Sequence, residues 1–479
     1  MGRPKIAMIG AGSLIFCKTL AMDILATEAL RGSEIRLMSR TKPKLDRMES
    51  FLKKVIKENG LPAEVWQTLD RREALKGADY IICMIQVGGV DAFKMDYEIP
   101  LKYGVDQCIG DSLGPGGVFR GLRTIPVLAE IVKDMEEFCP EALLLNYANP
   151  MGACCHALGK ISKGLQFVGL CHGVQTTLDL ISRYVNIPKE QIDFLCAGIN
   201  HMAWFLFLKE KQTGRDIYPA LRRNMEKPEY YVNEKVRGEV MRHFGYFMTE
   251  STGHLSEYVP WFRSSERALK LYCDEPGFGG ESGAYYKYCA MLDQKYKNVN
   301  YLDGETMKLA GRSMEYCSYI LEAHETDRPF RLNGNVRNAG YIENLPKGCC
   351  VEVPIFVDKQ GIRPVRVGSI PPQCAALNQS NVTVQTLAVE AGLTGDPEYV
   401  MQAMAMDPLT STRCTLKEAR DMTGEMLKAE TRWLPQFKGK KLKSVPIINL
   451  PENLKRVDVP LDPALAIVHR FTDLAVRKV

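Results

Sequence analysis

Cys171, in Gly169-Leu-Cys-His-Gly-Val174, and His201, directly behind Asn200, are the side chains of this chain whose types best suit a transition metal. A thiolate and an imidazole thirty residues apart are too few for a closed structural zinc site, which takes four ligands. They suit an open site whose shell a substrate completes. Read singly, each has a plainer meaning, since cysteines are commonly core residues and histidines satisfied polar ones. A second feature stands upstream. Gly10-Ala11-Gly12-Ser13 follows a short apolar run and opens a helical pattern, the arrangement that lays a dinucleotide pyrophosphate on a helix N-terminus. Ile15 occupies the third glycine position, so the match is partial. A metal and a nicotinamide at one site would join Lewis-acid chemistry to hydride transfer.

Other residues fill out such a site. The second strand should end in an acid for the ribose diol; here Met38-Ser39-Arg40-Thr41 offers a hydroxyl and an arginine. That exchange admits a 2′-phosphate, so NADP stands beside NAD, although Arg40 stacked on adenine would explain it equally. Asp111-Ser-Leu-Gly-Pro-Gly-Gly117 reads as a glycine-rich loop, either a surface turn or one whose acid reaches a sugar hydroxyl or the nicotinamide ribose. Asn149, in Asn146-Tyr-Ala-Asn-Pro150, is placed to bond substrate hydroxyls. The segment from Thr249 to Trp261 concentrates Glu250, His254, Glu257 and Tyr258. It suits a sugar pocket with a general base, or a capped helix start at Ser251 or Thr252.

Positioning these groups falls to alternating elements. Strand patterns at 5–10, 34–38, 80–85, 142–146 and 167–170 alternate with helical ones at 16–31, 44–59 and 122–139. This is the signature of a doubly wound parallel sheet, with the Cys-His pair at a strand's carboxyl end, where such sheets bind ligands. Beyond about residue 195, strands at 204–208 and 350–357 mix with helical stretches at 307–324, 380–406 and 415–430. The expectation is a Rossmann-like domain over 1–195 and a mixed α+β domain over 196–479, as in lactate and malate dehydrogenases.

Bulk properties exclude much. A net charge of +5 over 479 residues is mild, and Lys438-Gly-Lys-Lys-Leu-Lys443 reads as a solvated loop, so no nucleic acid is expected. No 18-residue apolar run points to a membrane span, and no signal peptide is visible. Fifteen scattered cysteines are not a disulfide framework; reduced thiols point to the cytoplasm.

Together these stretches resemble glycoside hydrolase family 4, the NAD- and manganese-dependent glycosidases, over nearly the whole chain. Ala197-Gly-Ile-Asn-His201, Gly334-Asn-Val-Arg-Asn338 and Leu345-Pro-Lys-Gly-Cys-Cys-Val-Glu352 add to the motifs above. The likeness is greatest to the bacterial α-galactosidase branch. The resemblance implies that Cys171 and His201 bind Mn²⁺, that Asn149 and Asn200 meet substrate, and that Gly10, Ala11, Gly12 and Ser13 hold the pyrophosphate with Ser39 and Arg40 near the ribose. His172 stands where the branch acting on 6-phosphoglycosides carries an aspartate acid, which implies an unphosphorylated sugar. The family departs from the usual two-carboxylate hydrolysis. Hydride transfer from C3 to nicotinamide makes C2–H acidic, because it then lies next to a carbonyl. A base removes that proton, the metal ion steadies the charge through the C2 and C3 oxygens, and the aglycone leaves by elimination. Asp111, His172, Glu250, His254 and Tyr258 are the expected catalytic groups, with the base among the last three. A uronide held by Arg263 or Arg337 and a plain hydroxy-acid dehydrogenase are the alternatives. The resemblance also implies a homodimer or homotetramer.

Overall fold

Short apolar runs separated by helix-length amphipathic stretches have one economical burial: parallel strands covered by helices. The computed structural model, which describes residues 3–13, 16–297, 299–455 and isolated positions beyond, has this arrangement. Ile15 lies outside the described residues. Among the described residues eleven strands form one sheet: β1 (Lys5–Ile9), β2 (Glu34–Met38), β3 (Glu64–Thr68), β4 (Tyr80–Cys83), β5 (Leu143–Asn146), β6 (Phe167–Gly169), β7 (Ile192–Ile199), β8 (Met202–Glu210), β9 (Phe330–Arg337), β10 (Cys350–Asp358) and β11 (Gly361–Pro364). Their spatial order is β3-β2-β1-β4-β5-β6-β9-β10-β7-β8, with β11 beside β10. The first six strands are parallel, in the dinucleotide-fold order 3-2-1-4-5-6. From β6 onward every neighbour is antiparallel. The expected α/β class, a Rossmann-like half continued by a mixed α+β half, is what the chain adopts. Residues 1–441 pack as one compact unit, and residues 442–479 group separately.

The central strands carry the core. All four residues of β4 are buried, and each large apolar side chain so placed contributes about 1.5–3 kcal/mol. One hydrophobic cluster runs from Ile6 on β1 through Val168 on β6 to Val353 on β10 and Met404.

Three expectations need correction. The glycine-rich stretch is loop only over its first three residues, Asp111 to Leu113: a helix runs from Gly114 to Phe138. A Cβ on Gly116 would lie 2.2 Å from the Gly110 carbonyl oxygen, and one on Gly117 would lie 2.4 Å from the Ser112 carbonyl carbon. The glycines serve close packing of the first helical turn on the preceding loop. The helical stretch at 307–324 reduces to Cys317–Thr326, because Ser313 is drawn off to Asp23 through its backbone N–H (2.9 Å) and its hydroxyl. The stretch at 380–406 is two helices, Pro372–Thr394 and Pro397–Met406, parted by Gly395 and by Asp396, whose side chain caps the second.

Candidate active site

The parallel strands end on one edge, and the turn after β1, the Asn149 segment after β5 and Cys171 after β6 all follow that edge. β1, β4, β5 and β6 are successive neighbours, so the turn and the cysteine stand three strand spacings apart, about 14 Å. The turn sits between β1 and β4, where the strand order reverses and open α/β sheets bind ligands. Gly10, at φ +92°, has no room for a side chain: a Cβ would lie 2.8 Å from the Met84 carbonyl. The N–H groups of Gly10 and Ala11 both donate to the Met38 carbonyl at 2.9 Å, which ties the turn to the end of β2. Ser39 is therefore at its side, half-buried, and Arg40 is exposed. A turn at this position fits a dinucleotide.

Cys171, His201 and Glu250 converge. Cys171 Sγ lies 3.9 Å from Glu250 Oε1, and His201 Nε2 lies 3.5 Å from the same oxygen. The three donor atoms fall within 4.8 Å of one another. Two donors each about 2.2 Å from one ion stand roughly 3–4 Å apart, so sulfur, nitrogen and oxygen here fit a single divalent ion. His201 (φ +63°) and Glu250 (φ +78°) both hold left-handed backbone, at a cost of about 1–2 kcal/mol each. Glu250, expected among the bases, thus stands with the two expected ligands. Burial, with the charges of Glu250 and Glu352, pushes the Cys171 thiol well above its ordinary value. Burial also pushes His201 down. For Glu250, burial opposes the charge, but the imidazoles of His201, His254 and His172 outweigh it and hold the carboxyl below its usual range. A cation between these groups would make the thiol a thiolate ligand.

The other expected groups surround this cluster. The buried Tyr258 hydroxyl lies 3.1 Å from His201 Nδ1, with the two rings 11° from parallel. With a metal ion on Nε2, Nδ1 would carry the proton and donate it to the Tyr258 oxygen. His254 Nδ1 stands 3.4 Å from Glu250 Oε2 and 3.2 Å from Ser251 Oγ. Asp111 is buried and accepts from Ser112 Oγ (2.7 Å), Asn149 Nδ2 (3.1 Å) and Arg120 Nη1 (3.3 Å). Burial opposes its charge, but Arg120, His254 and His201 hold it below the ordinary carboxylate range. Asn200, Ser112 and Tyr258 line one small cavity with Asn381 and Gln385. His172 is half-exposed, its Nδ1 3.6 Å from Glu315 Oε1. Of the two arginines considered for a uronate, Arg263 is buried and donates to Asp106 and to the Gly280 carbonyl. Arg337 lies two residues beyond Asn335, which pairs antiparallel with Gly169, so it points back toward the amino ends of the parallel strands.

The roles of two acids escaped the sequence reading. Glu352, on β10, is pushed up to about 8 by burial and the charge of Glu250. A lone acid inside the apolar run Cys350–Val357 was its signal. Glu257 accepts the N–H groups of Ile109 and Gly110 (3.0 Å for the latter), anchoring the loop that carries Asp111. No local pattern marks that role.

Residues 5–187 match the family 4 glycosyl hydrolase profile, and residues 196–410 match that of the family's C-terminal domain. The chain belongs to glycosyl hydrolase family 4. An alpha-galactosidase of Rhizobium meliloti (strain 1021) is 40% identical over 441 residues, 90% of this chain and 89% of that protein. An alpha-galactosidase of Bacillus subtilis (strain 168) is 38% identical over 442 residues, 91% of this chain and 100% of that protein. A structure of the 6-phospho-beta glucosidase of Thermotoga maritima with manganese, NAD⁺ and glucose-6-phosphate matches with a TM-score of 0.73 at 21% identity, covering 89% of this chain and 98% of that one. At that identity the likeness speaks for the fold alone. This family 4 hydrolase thus sets its thiol, imidazole and carboxylate on the same strand edge as its glycine turn.

Proposed function

We propose that this family 4 hydrolase is an α-galactosidase for unphosphorylated α-galactosides that works with NAD and Mn²⁺. The observation that carries the sugar is near-full-length identity of 40% and 38% to two alpha-galactosidases. The commitment of Arg263 to Asp106 speaks against a uronide. When bound, the nicotinamide takes up and returns the C3 hydride while Mn²⁺ polarises the C2 and C3 oxygens. Cys171, His201 and Glu250 would hold the ion, and Gly10 to Ser13 the pyrophosphate. Residues 1–195 form the dinucleotide half of this reading and 196–479 the other.

Tyr258 takes the C2 proton. Glu250 belongs with the ligands and His254 with Glu250, whereas Tyr258 lines the cavity beside Asn200. With a metal ion on His201 Nε2, the Nδ1 proton would be donated to its oxygen, which favours the phenolate. Burial, with the charges of Asp111, Glu257 and Glu250, pushes the phenol well above its ordinary value. Ionising it therefore takes net positive charge at the His201 cluster. Asp111 and Asn149, bonded to each other, orient sugar hydroxyls. His172, paired with Glu315 at the exposed rim, holds a proton for the leaving group.

The reading extends to a cytoplasmic homodimer or homotetramer. Fifteen free cysteines support a reducing compartment, and exposed Leu271, Phe278, Tyr288 and Met291 support self-association. A panel of p-nitrophenyl α-glycosides, 6-phosphoglycosides and uronides, with Mn²⁺, reductant and NAD, tests the function. Turnover of the α-galactoside without net NADH is expected. Turnover of a uronide or a 6-phosphoglycoside in its place would overturn the assignment.

A further inference from the structure

We infer that Gln385 is a positioning residue for the reaction: together with Asn200 it binds one ordered water molecule beside Tyr258, and that water holds the tyrosine oxygen in place. The role of Tyr258 itself is the one given under the proposed function. Gln385 lies on the helix Pro372–Thr394, where Asn378, Asn381 and Gln385 fall on one buried face, three and then four residues apart. A buried amide is costly unless it is hydrogen-bonded. Asn378 is satisfied by the Trp204 indole (3.2 Å) and the Met202 carbonyl (2.8 Å). Asn381 Nδ2 donates to the Tyr258 carbonyl at 3.0 Å. Gln385 breaks the series: its Oε1 is buried and accepts no hydrogen bond among the described residues.

Asn200 Nδ2 is a buried donor in the same condition. Asn200 and Gln385 are each 6% exposed, and both line the small cavity that Tyr258 also lines. The Gln385 amide is held there by close packing. A Cβ on Gly152 would lie 2.6 Å from Gln385 Nε2, so the helix after Asn149-Pro150 carries a glycine where the amide needs the room. The cavity has room for about one water molecule, and a buried water makes about three hydrogen bonds to polar groups otherwise unsatisfied. Here it accepts from Asn200 Nδ2, donates to Gln385 Oε1 and gives its second hydrogen to the Tyr258 oxygen. That oxygen also stands 3.1 Å from His201 Nδ1, so two partners rather than one fix it. One helix face thereby locates both ends of the tyrosine: Asn381 holds its carbonyl directly, and Gln385 holds its hydroxyl through the water, a bridge nearly as good as a direct bond.

Crystals of the wild type and of Gln385→Met test the water without turnover, because methionine keeps the length of the side chain and loses the acceptor. Density for a water within hydrogen-bond distance of Asn200 Nδ2 and Gln385 Oε1 is expected in the first and not in the second. On an aryl α-galactoside at saturating Mn²⁺ and NAD, Gln385→Met should lower kcat about tenfold and leave KM within about twofold. It should also enlarge the isotope effect of substrate deuterated at C2. Gln385→Glu, which keeps an oxygen at the same place, should restore most of kcat, and thermal melts establish that both variants are folded. Wild-type crystals that order other buried waters but none here would overturn the inference. So would a Gln385→Met kcat within about twofold of wild type, or equal losses in Gln385→Met and Gln385→Glu. An unchanged kcat in Tyr258→Phe would instead overturn the base assignment beneath it, a failure that the crystals keep separate.

Discussion

Replacing Tyr258 by phenylalanine removes one oxygen and leaves the ring in place. The ring still lies within 11° of the His201 plane, with centroids 6.2 Å apart, so packing is retained. Three losses follow. His201 Nδ1, 3.1 Å from the missing oxygen in a residue 7% exposed, is left buried without this hydrogen-bond partner, at about 1–3 kcal/mol of stability. The imidazole loses the bond that orients it, and deletions of this kind weaken metal binding about 10–100-fold. The proton acceptor itself disappears, worth about 10²–10⁴ in kcat, or roughly 3–5 kcal/mol of barrier. Excess Mn²⁺ repairs the second loss but not the third, so the decisive quantity is kcat on an aryl α-galactoside at saturating Mn²⁺. Substrate deuterated at C2 should show a larger isotope effect in the variant, where proton removal limits the rate. Calorimetric Mn²⁺ titration and a thermal melt read the first two losses separately. A variant kcat within about threefold of wild type would refute the assignment of Tyr258. A fall of about a hundredfold in His254→Asn alone would move the base there.

Cys171→Ser and His201→Ala should each abolish turnover while circular dichroism stays native, and EDTA should inactivate the wild type with recovery on Mn²⁺; full activity after chelation removes the metal from the reaction. Turnover should need bound or added dinucleotide yet accumulate no reduced cofactor, and undiminished hydrolysis by stripped protein would exclude the redox route. Burial raises Glu257 from 4.5 to about 7, so the folded protein holds its proton longer than the unfolded chain. That stabilisation is complete below pH 4.5, declines as pH rises and is gone above about 7, a loss of about 3 kcal/mol. Glu257→Gln should flatten this part of the melting-temperature profile between pH 5 and pH 8, and an unchanged slope would show that another group titrates.

Much of the fold was legible because it rests on local signals. Apolar runs ending in glycine or asparagine marked β1, β5 and β6, and those ends carry the site. Cys171 and His201 were legible as soft donors, but their meeting with Glu250 was not. Seventy-nine residues separate Cys171 from Glu250, and a carboxylate's task depends on which partners the fold brings to it. Glu257 illustrates the same point, since two backbone N–H groups more than a hundred residues earlier define it. Arg263 looked like a free cation in sequence, yet Asp106 claims it in the core. The misread helix around 313 yielded to Asp23, a tertiary bond that outweighs local propensity. Two asparagines of one helix likewise take their tasks from distant partners: Asn378 Oδ1 accepts from the Trp204 indole, and Asn381 Nδ2 donates to the Tyr258 carbonyl.

The unbroken sheet from β3 to β8 bears on how anything gets in or out. A jaw-like opening between the nucleotide-side and metal-side halves would tear the ladder where β6 meets β9 and split a cluster shared by Ile6, Val168 and Val353. Traffic must then be handled by what lies across the strand ends: the loop 107–113 pinned by Glu257, and the segment 249–261 that carries His254 and Tyr258. If release of galactose limits turnover, slow steps will track the anchoring of those two segments, on the microsecond-to-millisecond scale of loop motion.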